Sequence, residues 1–245
     1  MKLLGALIVI EVLSKIDSRR LENGNSRIIN GKRLDIHDYP FMVKLAVGCG
    51  GALIAPQVVL TAAHCVFSDN SVWPNMLVEI KAFGEKIAAK PIPHEKYRDS
   101  GDMTISPYDI ALLHLATPVK HAIAFPKLNY RKSFEKPGTV IQAIGYGLTE
   151  NKKLSDHLMG TNITILDHNN PYEHVFRTSG DSGPCSGDSG GPAFIRRGQD
   201  HILVGIVSGG PFDEETHLCE EPDVYTSVYD FRGWIEDTMM SLNQN

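Results

Sequence analysis

An all-β protein with a single C-terminal helix is the fold class the sequence predicts, on three observations. Short apolar runs separated by turn residues follow one another along the chain after residue 27. Gly 22 and Pro 14 are high counts that form no repeat and no low-complexity run, which suits a turn-rich β protein better than a helical bundle. Helical spacing of apolar residues occurs only over Tyr229–Leu242. With 245 residues and 42% hydrophobic content, the chain can fill one large core or two small ones. Periodicity alone leaves a sandwich and a barrel pair both open.

The first element is a targeting signal. Met1-Lys2 gives a positive start, Leu3 to Ile10 is a short run of small and apolar residues, and Val12 and Ser14 are small residues where a signal peptidase reads. The run is too short to span a bilayer, which takes about 20 residues, so residues 1–14 read as a secretory leader and no membrane anchor is expected. The strands follow in order at Pro40–Val47, Ala52–Ile54, Gln57–Leu60, Met76–Ala82 and Asp109–Leu115. The series continues at Val140–Gly145, Gly160–Leu166, Ala193–Ile195, Ile202–Val207 and Asp223–Val228. In the terminal helix Phe231, Trp234, Ile235, Thr238 and Met239 lie along one face. The segment Tyr97–Pro107, rich in Asp and Ser, reads as a surface loop, and no linker of unusual composition divides the chain.

Net charge is −5, which gives no basis for a nucleic-acid surface. The four cysteines, Cys49, Cys65, Cys185 and Cys219, include no C-x-x-C pair, so zinc and redox readings lack their spacing. In an oxidising compartment they allow three pairings, and the residues alone do not choose among them. Asn162-Ile163-Thr164 is an N-glycosylation acceptor sequence.

Four local signatures carry chemistry. The strongest is Cys185-Ser-Gly-Asp-Ser-Gly-Gly-Pro192. A serine among glycines is a candidate nucleophile, because its backbone can bend sharply and the neighbouring amides can converge on one oxyanion. Read alone, the string is a glycine-rich turn. Upstream, Leu60-Thr-Ala-Ala-His64-Cys65 sets a histidine after a buried strand; singly, such a histidine is more often structural than a base. Asp109-Ile-Ala-Leu-Leu leads a carboxylate into a buried strand, where its charge needs partners; a turn aspartate is the plainer reading. Ser26-Arg27-Ile28-Ile29-Asn30-Gly31 has the form of a cleavable junction, and singly of an ordinary exposed loop.

In that order these motifs, from Ile28 to the C-terminus, resemble the chymotrypsin family of serine proteases. Subtilisin-like and α/β-hydrolase chains arrange His, Asp and Ser in other orders. The resemblance implies two six-stranded antiparallel Greek-key β-barrels packed together with the C-terminal helix, the domain spanning residues 28–245 with the barrel boundary near residue 128. It implies Ser189 as nucleophile, His64 as general base and Asp109 as the residue that holds the imidazole tautomer. The N–H groups of Gly187 and Ser189 would form the oxyanion hole, and Ser208 would support Asp109 and begin a substrate-binding edge with Gly209 and Gly210. Residues 15–27 would be an activation peptide: cleavage after Arg27 frees the Ile28 amine to pair with Asp188. Family pairings imply bridges Cys49–Cys65 and Cys185–Cys219. Peptide and protein substrates and protein inhibitors are the implied partners, for a secreted monomer; neither cofactor nor metal is expected.

The pocket departs from the trypsin pattern. The aspartate that trypsin-like members carry six residues before the nucleophile is Gly183 here, whereas Asp223, in Pro222-Asp-Val-Tyr, stands where most relatives have glycine. The carboxylate has moved from one pocket wall to the other, a pattern similar to crustacean collagenolytic serine proteases. A pocket carboxylate favours a cationic guest, so preference for Arg or Lys with relaxed selectivity is expected. In the plainer reading Asp223 is a solvated turn residue. Gly209 replaces a usual tryptophan, which opens the neighbouring wall, and no cysteine lies between Cys65 and Cys185 to brace the loop Asn169–Gly183, which is expected to be held by packing alone. Two other functions compete. A catalytically weak or inactive homologue acting as a secreted binding or decoy protein would have lost a triad residue. A non-enzymatic adhesion module would make four ordered motifs coincidental.

Overall fold

The computed structural model describes residues 31–68, 71–98, 106–149, 152–168, 173–180, 182–213, 215, 218–242 and 244. The expected leader and activation peptide, with Arg27 and Ile28, lie outside the described residues, as does most of the predicted 97–107 loop.

Six strands form the first barrel: β1 (Met42–Leu45), β2 (Gly50–Ala55), β3 (Val58–Thr61), β4 (Met76–Ile80), β5 (Glu85–Pro93) and β6 (Ala111–Leu115). They close in the ring order β1-β2-β3-β6-β5-β4, every pair antiparallel. The second barrel comprises β7 (Val140–Gly145), β8 (Met159–Asp167), β9 (Val175–Ser179), β10 (Pro192–Arg197), β11 (Asp200–Gly209) and β12 (Asp223–Ser227). Its ring runs β7-β8-β9-β12-β11-β10, the same order displaced by six strands. In both, the fourth strand returns beside the first, which is the Greek-key connection. The expected pair of six-stranded barrels is what the chain forms.

Some of the strands read from the sequence, such as β3 and β6, are buried on both faces. Two were missed. β5 alternates exposed and covered residues and contains Pro91 and Pro93. β9 falls in the segment expected to be a loop held by packing. Its five residues instead pair with β8 on one side and β12 on the other.

α1 (Val228–Leu242) starts where Ser227 Oγ accepts the Asp230 N–H at 3.2 Å, with Asp230 itself in the first turn, both favourable at a helix N-terminus. Val228, Phe231 and Ile235 join the core of the first barrel, which also takes in Ile144, Phe194, Leu203 and Ile206 from the second. Phe41 and Phe194 meet edge to face across this seam, ring centres 5.8 Å apart. The apolar seam fixes the two barrels against each other, and the chemistry-bearing residues gather along its rim. Cys49–Cys65 and Cys185–Cys219 are both bridged, as the resemblance implies, each worth about 2–4 kcal/mol.

Candidate active site

Asp109 is drawn into the interior because the residues after it, Ile110 to Leu113, are fully buried. The carboxylate is correspondingly well supplied with donors. Oδ1 accepts the backbone N–H of His64 at 2.9 Å, and Oδ2 accepts His64 Nδ1–H at 2.8 Å and Ser208 Oγ–H at 2.6 Å. Thr226 Oγ1 donates to the Asp109 carbonyl at 2.9 Å. Burial alone would raise this acid; the charge of the His64 imidazole, with its hydrogen bonds and that of Ser208, more than reverses the effect and holds it below the usual carboxylate range. A carboxylate only accepts, so Nδ1 carries a proton in either state, and in the neutral imidazole the lone pair is on Nε2.

His64 opens a short 3₁₀ turn, His64–Val66, directly after the buried end of β3. Cys65 in that turn is bridged to Cys49, beside Gly50 at the start of β2. The Gly50 N–H donates to the Ser189 carbonyl at 2.7 Å. The histidine turn and the serine loop are thus tied to the same strand end. The glycines flanking Ser189 are sterically required: at Gly190 (φ +74°) a Cβ would run into Thr61 Oγ1 and lie 2.7 Å from the Gly50 carbonyl, and a Cβ on Gly50 would lie 3.1 Å from Gly191 Cα. The two barrels touch backbone to backbone here.

Gly187 takes φ +96°, and a Cβ there would press on Leu154 and on Gly147 Cα. Among the described residues, nothing accepts from the N–H groups of Gly187 or Ser189. Asp188, between them in sequence, points the other way. It is buried with its carboxylate receiving Gly147 N–H at 2.7 Å and Cys185 N–H at 3.0 Å, in a space kept open by Gly145 and Gly147. Burial pushes this acid up to about 6 despite those amides and that of Tyr146.

Asp223, on β12, is also buried, so it is not a solvated turn residue. A Cβ on Gly183 would lie 2.5 Å from its Oδ2, and one on Gly210 would lie 3.6 Å from its Oδ1. The carboxylate therefore occupies the space that a side chain at 183 would need. A Cβ on Gly209 would meet nothing within 4 Å, so that wall is open. Three residues around Asp223 escaped the sequence reading. Tyr225 lies two positions along β12 from Asp223, on the same face of the strand, a relation that period-two reading could have caught. Thr178 is the cross-strand partner of Asp223, which requires knowing β9. Glu221, whose Oε1 accepts the Gly180 N–H at 2.5 Å, adds a second acid beside the pocket.

Asn162 is exposed on β8, with its acceptor partner Thr164 two residues on. Among the described residues one set of side chains converges as metal ligands would, Cys49, His64 and Cys65, and both of its sulfurs are committed to the disulfide.

A family model described as Trypsin matches residues 28–235. The chain is 27% identical to trypsin iota of Drosophila melanogaster, over 96% of this chain and 97% of that one. It is 30% identical to human kallikrein-2, over 87% and 90% respectively. Against the snake venom serine protease serpentokallikrein-2 of Protobothrops mucrosquamatus it is 31% identical, over 94% and 95%. Among solved structures, neuropsin, a serine protease expressed in the limbic system of mouse brain, superposes with a TM-score of 0.72 at 24% identity, covering 86% of this chain and all of that one.

Proposed function

The chain belongs to the trypsin family and is a serine endopeptidase, and from that premise we propose that Ser189, His64 and Asp109 are its catalytic triad. The observation that carries this is the fourfold anchoring of Asp109, which commits His64 Nδ1 as a donor and so makes Nε2 the basic nitrogen of the ring. Ser189 Oγ attacks the scissile carbonyl as its proton passes to Nε2, and the imidazolium so formed is stabilised by the Asp109 carboxylate. The N–H groups of Gly187 and Ser189 receive the oxyanion, each such donor contributing about 2.7–4 kcal/mol to catalysis in comparable enzymes.

The protein works as a secreted, monomeric zymogen with a leader over residues 1–14 and an activation peptide over 15–27, the peptidase domain following to residue 245 with its barrels dividing near 128. Protein substrates are what the family acts on, and protein inhibitors fit the same cleft. Among the described residues no helix is long and apolar enough to cross a membrane. Asp188 supports the zymogen reading, since an ammonium brought to this buried carboxylate would hold it ionised. In that reading Arg27→Gln leaves the chain uncut and its activity at background after treatment with trypsin, whereas the wild-type precursor gains activity as the Ile28 amine is released. An uncut Arg27→Gln protein with full activity would overturn it.

Asp223 at the base of the primary pocket selects Arg or Lys in the residue before the scissile bond. Breaking a buried ion pair costs roughly 3–5 kcal/mol. Asp223→Gly is therefore expected to lower kcat/KM for an arginine substrate about 10²–10³-fold, with little change for a leucine substrate. An unchanged ratio of the two would remove Asp223 from the pocket.

A further inference from the structure

Among the described residues three buried aspartates surround this site, and their surroundings differ. Asp109 has side-chain and backbone donors, and Asp188 has backbone amides. Asp223 Oδ2 accepts no hydrogen bond from any described residue. The walls nearest it, Gly183 and Gly210, carry no side chains that could donate. Among the described residues, every ionisable group facing it is an acid. Glu221 precedes it by two residues, Asp188 comes from the nucleophile loop, and the phenol of Tyr225 follows it on β12. On β9 its cross-strand partner is the neutral Thr178, while the neighbouring Arg177 turns outward to a bidentate pair with Asp167 at 3.0 and 2.7 Å. On β11, the other strand paired with β12, Val207 and Gly209 oppose Tyr225 and Val224 and carry no ionisable group. Among the described residues, no cation reaches Asp223.

We propose that the primary pocket is dual, taking an apolar side chain while Asp223 is protonated and an arginine or lysine when it is ionised, so that selectivity turns from apolar to basic as pH rises. This rests on Asp223 forming the base of the pocket. Burial first, then the charge of Glu221 and, until the Ile28 amine pairs with it, that of Asp188, push the carboxyl up to about 8, so its protonated form predominates at pH 7. A protonated acid between two glycines presents little charge for an apolar guest to desolvate. A guanidinium or ammonium supplies the missing counter-charge. Below the titration range its entry drives the carboxyl proton into solvent; above that range no proton moves.

The sign follows. For a basic substrate, kcat/KM carries the fraction of free enzyme with Asp223 ionised, so it falls by up to tenfold per pH unit below the titration. An apolar substrate does not share that fall. Any ionisation that both reactions share cancels in their ratio.

The test uses activated enzyme and peptide substrates that differ only in Arg or Leu before the scissile bond. The Arg-to-Leu ratio of kcat/KM is expected to rise at least about tenfold between about pH 6 and about pH 9, and to be flat in Asp223→Asn. A flat ratio in wild type with arginine favoured throughout overturns the switch and leaves Asp223 as the pocket base. Leucine favoured at every pH, unaltered by Asp223→Gly, overturns both. A measurement that needs no variant is calorimetry of benzamidine binding in buffers of different ionisation enthalpy. About one proton released at mildly acidic pH and almost none near pH 9 is expected, and no dependence on buffer would overturn the switch.

Discussion

Replacing Ser189 by Ala is expected to remove almost all peptide hydrolysis while leaving the fold unchanged. The loss in kcat should be about 10⁶-fold, the size that removal of the nucleophile has in a serine protease where the triad acts as a unit. Nothing structural depends on the hydroxyl. The loop is held by its backbone, through the Gly50 N–H to the Ser189 carbonyl at 2.7 Å, the Gly190 N–H to the Val207 carbonyl at 2.8 Å and the Gly191 N–H to the Asp188 carbonyl at 2.8 Å. Each of these survives the exchange, and Ala at a site already occupied by a side chain introduces no clash. Thermal midpoint should stay within the range of a surface substitution. A fluorophosphonate probe, which phosphonylates an activated serine, should label the activated wild-type protein and not the variant. Equal labelling of both would place the nucleophile elsewhere. No labelling of wild type cut after Arg27 would turn the chain into a binding homologue of proteases. Retained residual hydrolysis, about 10³–10⁴ above water, is the part that the oxyanion hole and substrate binding supply without the serine.

The ease with which this site could be found in the sequence has a physical origin. Each of its parts imposes a local demand on the chain. Gly190 must be glycine because the Gly50 carbonyl would lie 2.7 Å from its Cβ, and Cys65 must follow His64 because it pins that turn to β2. Such demands leave contiguous strings, and strings are legible. The strands tell the same story. β3, buried at every position, announces itself as Val58-Val-Leu-Thr61, whereas β9 places Arg177 and Thr178 mid-strand and keeps only Val175 and Phe176 as apolar signal. Its arginine is satisfied by Asp167 across the strand pair, a partner fixed by the β8–β9 register and not by any periodicity along the chain. The pocket was half legible for the same reason. Asp223 could be read against Gly183 because both are defined by their distance from a motif. Its isolation among Glu221, Asp188 and Thr178 is tertiary, assembled from three separate segments, and emerges only once β9 and β12 are paired.

Asp109→Asn should be nearly as damaging to catalysis as loss of the serine, and the reason lies in one backbone amide. The exchange is almost isosteric, but it replaces one acceptor oxygen by a donor. The His64 N–H, 2.9 Å from Oδ1, requires an oxygen at that position, so the amide nitrogen must take the place of Oδ2. There it faces His64 Nδ1 at 2.8 Å and Ser208 Oγ at 2.6 Å. Ser208 can rotate its hydroxyl to accept. His64 can accept only by shifting its proton to Nε2, which leaves no lone pair facing the serine. The opposite orientation, with the oxygen restored to Nδ1, sets two N–H groups against each other at the turn. The variant is thus confined to the wrong tautomer by the fold itself. A fall in kcat/KM of about 10⁴-fold is expected, the size that this exchange has in the family to which the chain belongs. KM should change little, since Asp109 touches no substrate. Nitrogen chemical shifts of the His64 imidazole give a direct readout, with the proton at Nδ1 in wild type and at Nε2 in Asp109→Asn. A variant that keeps the wild-type tautomer and activity would show that the His64 backbone amide does not fix the side chain at 109, and with it the anchoring from which the triad was assigned would fall.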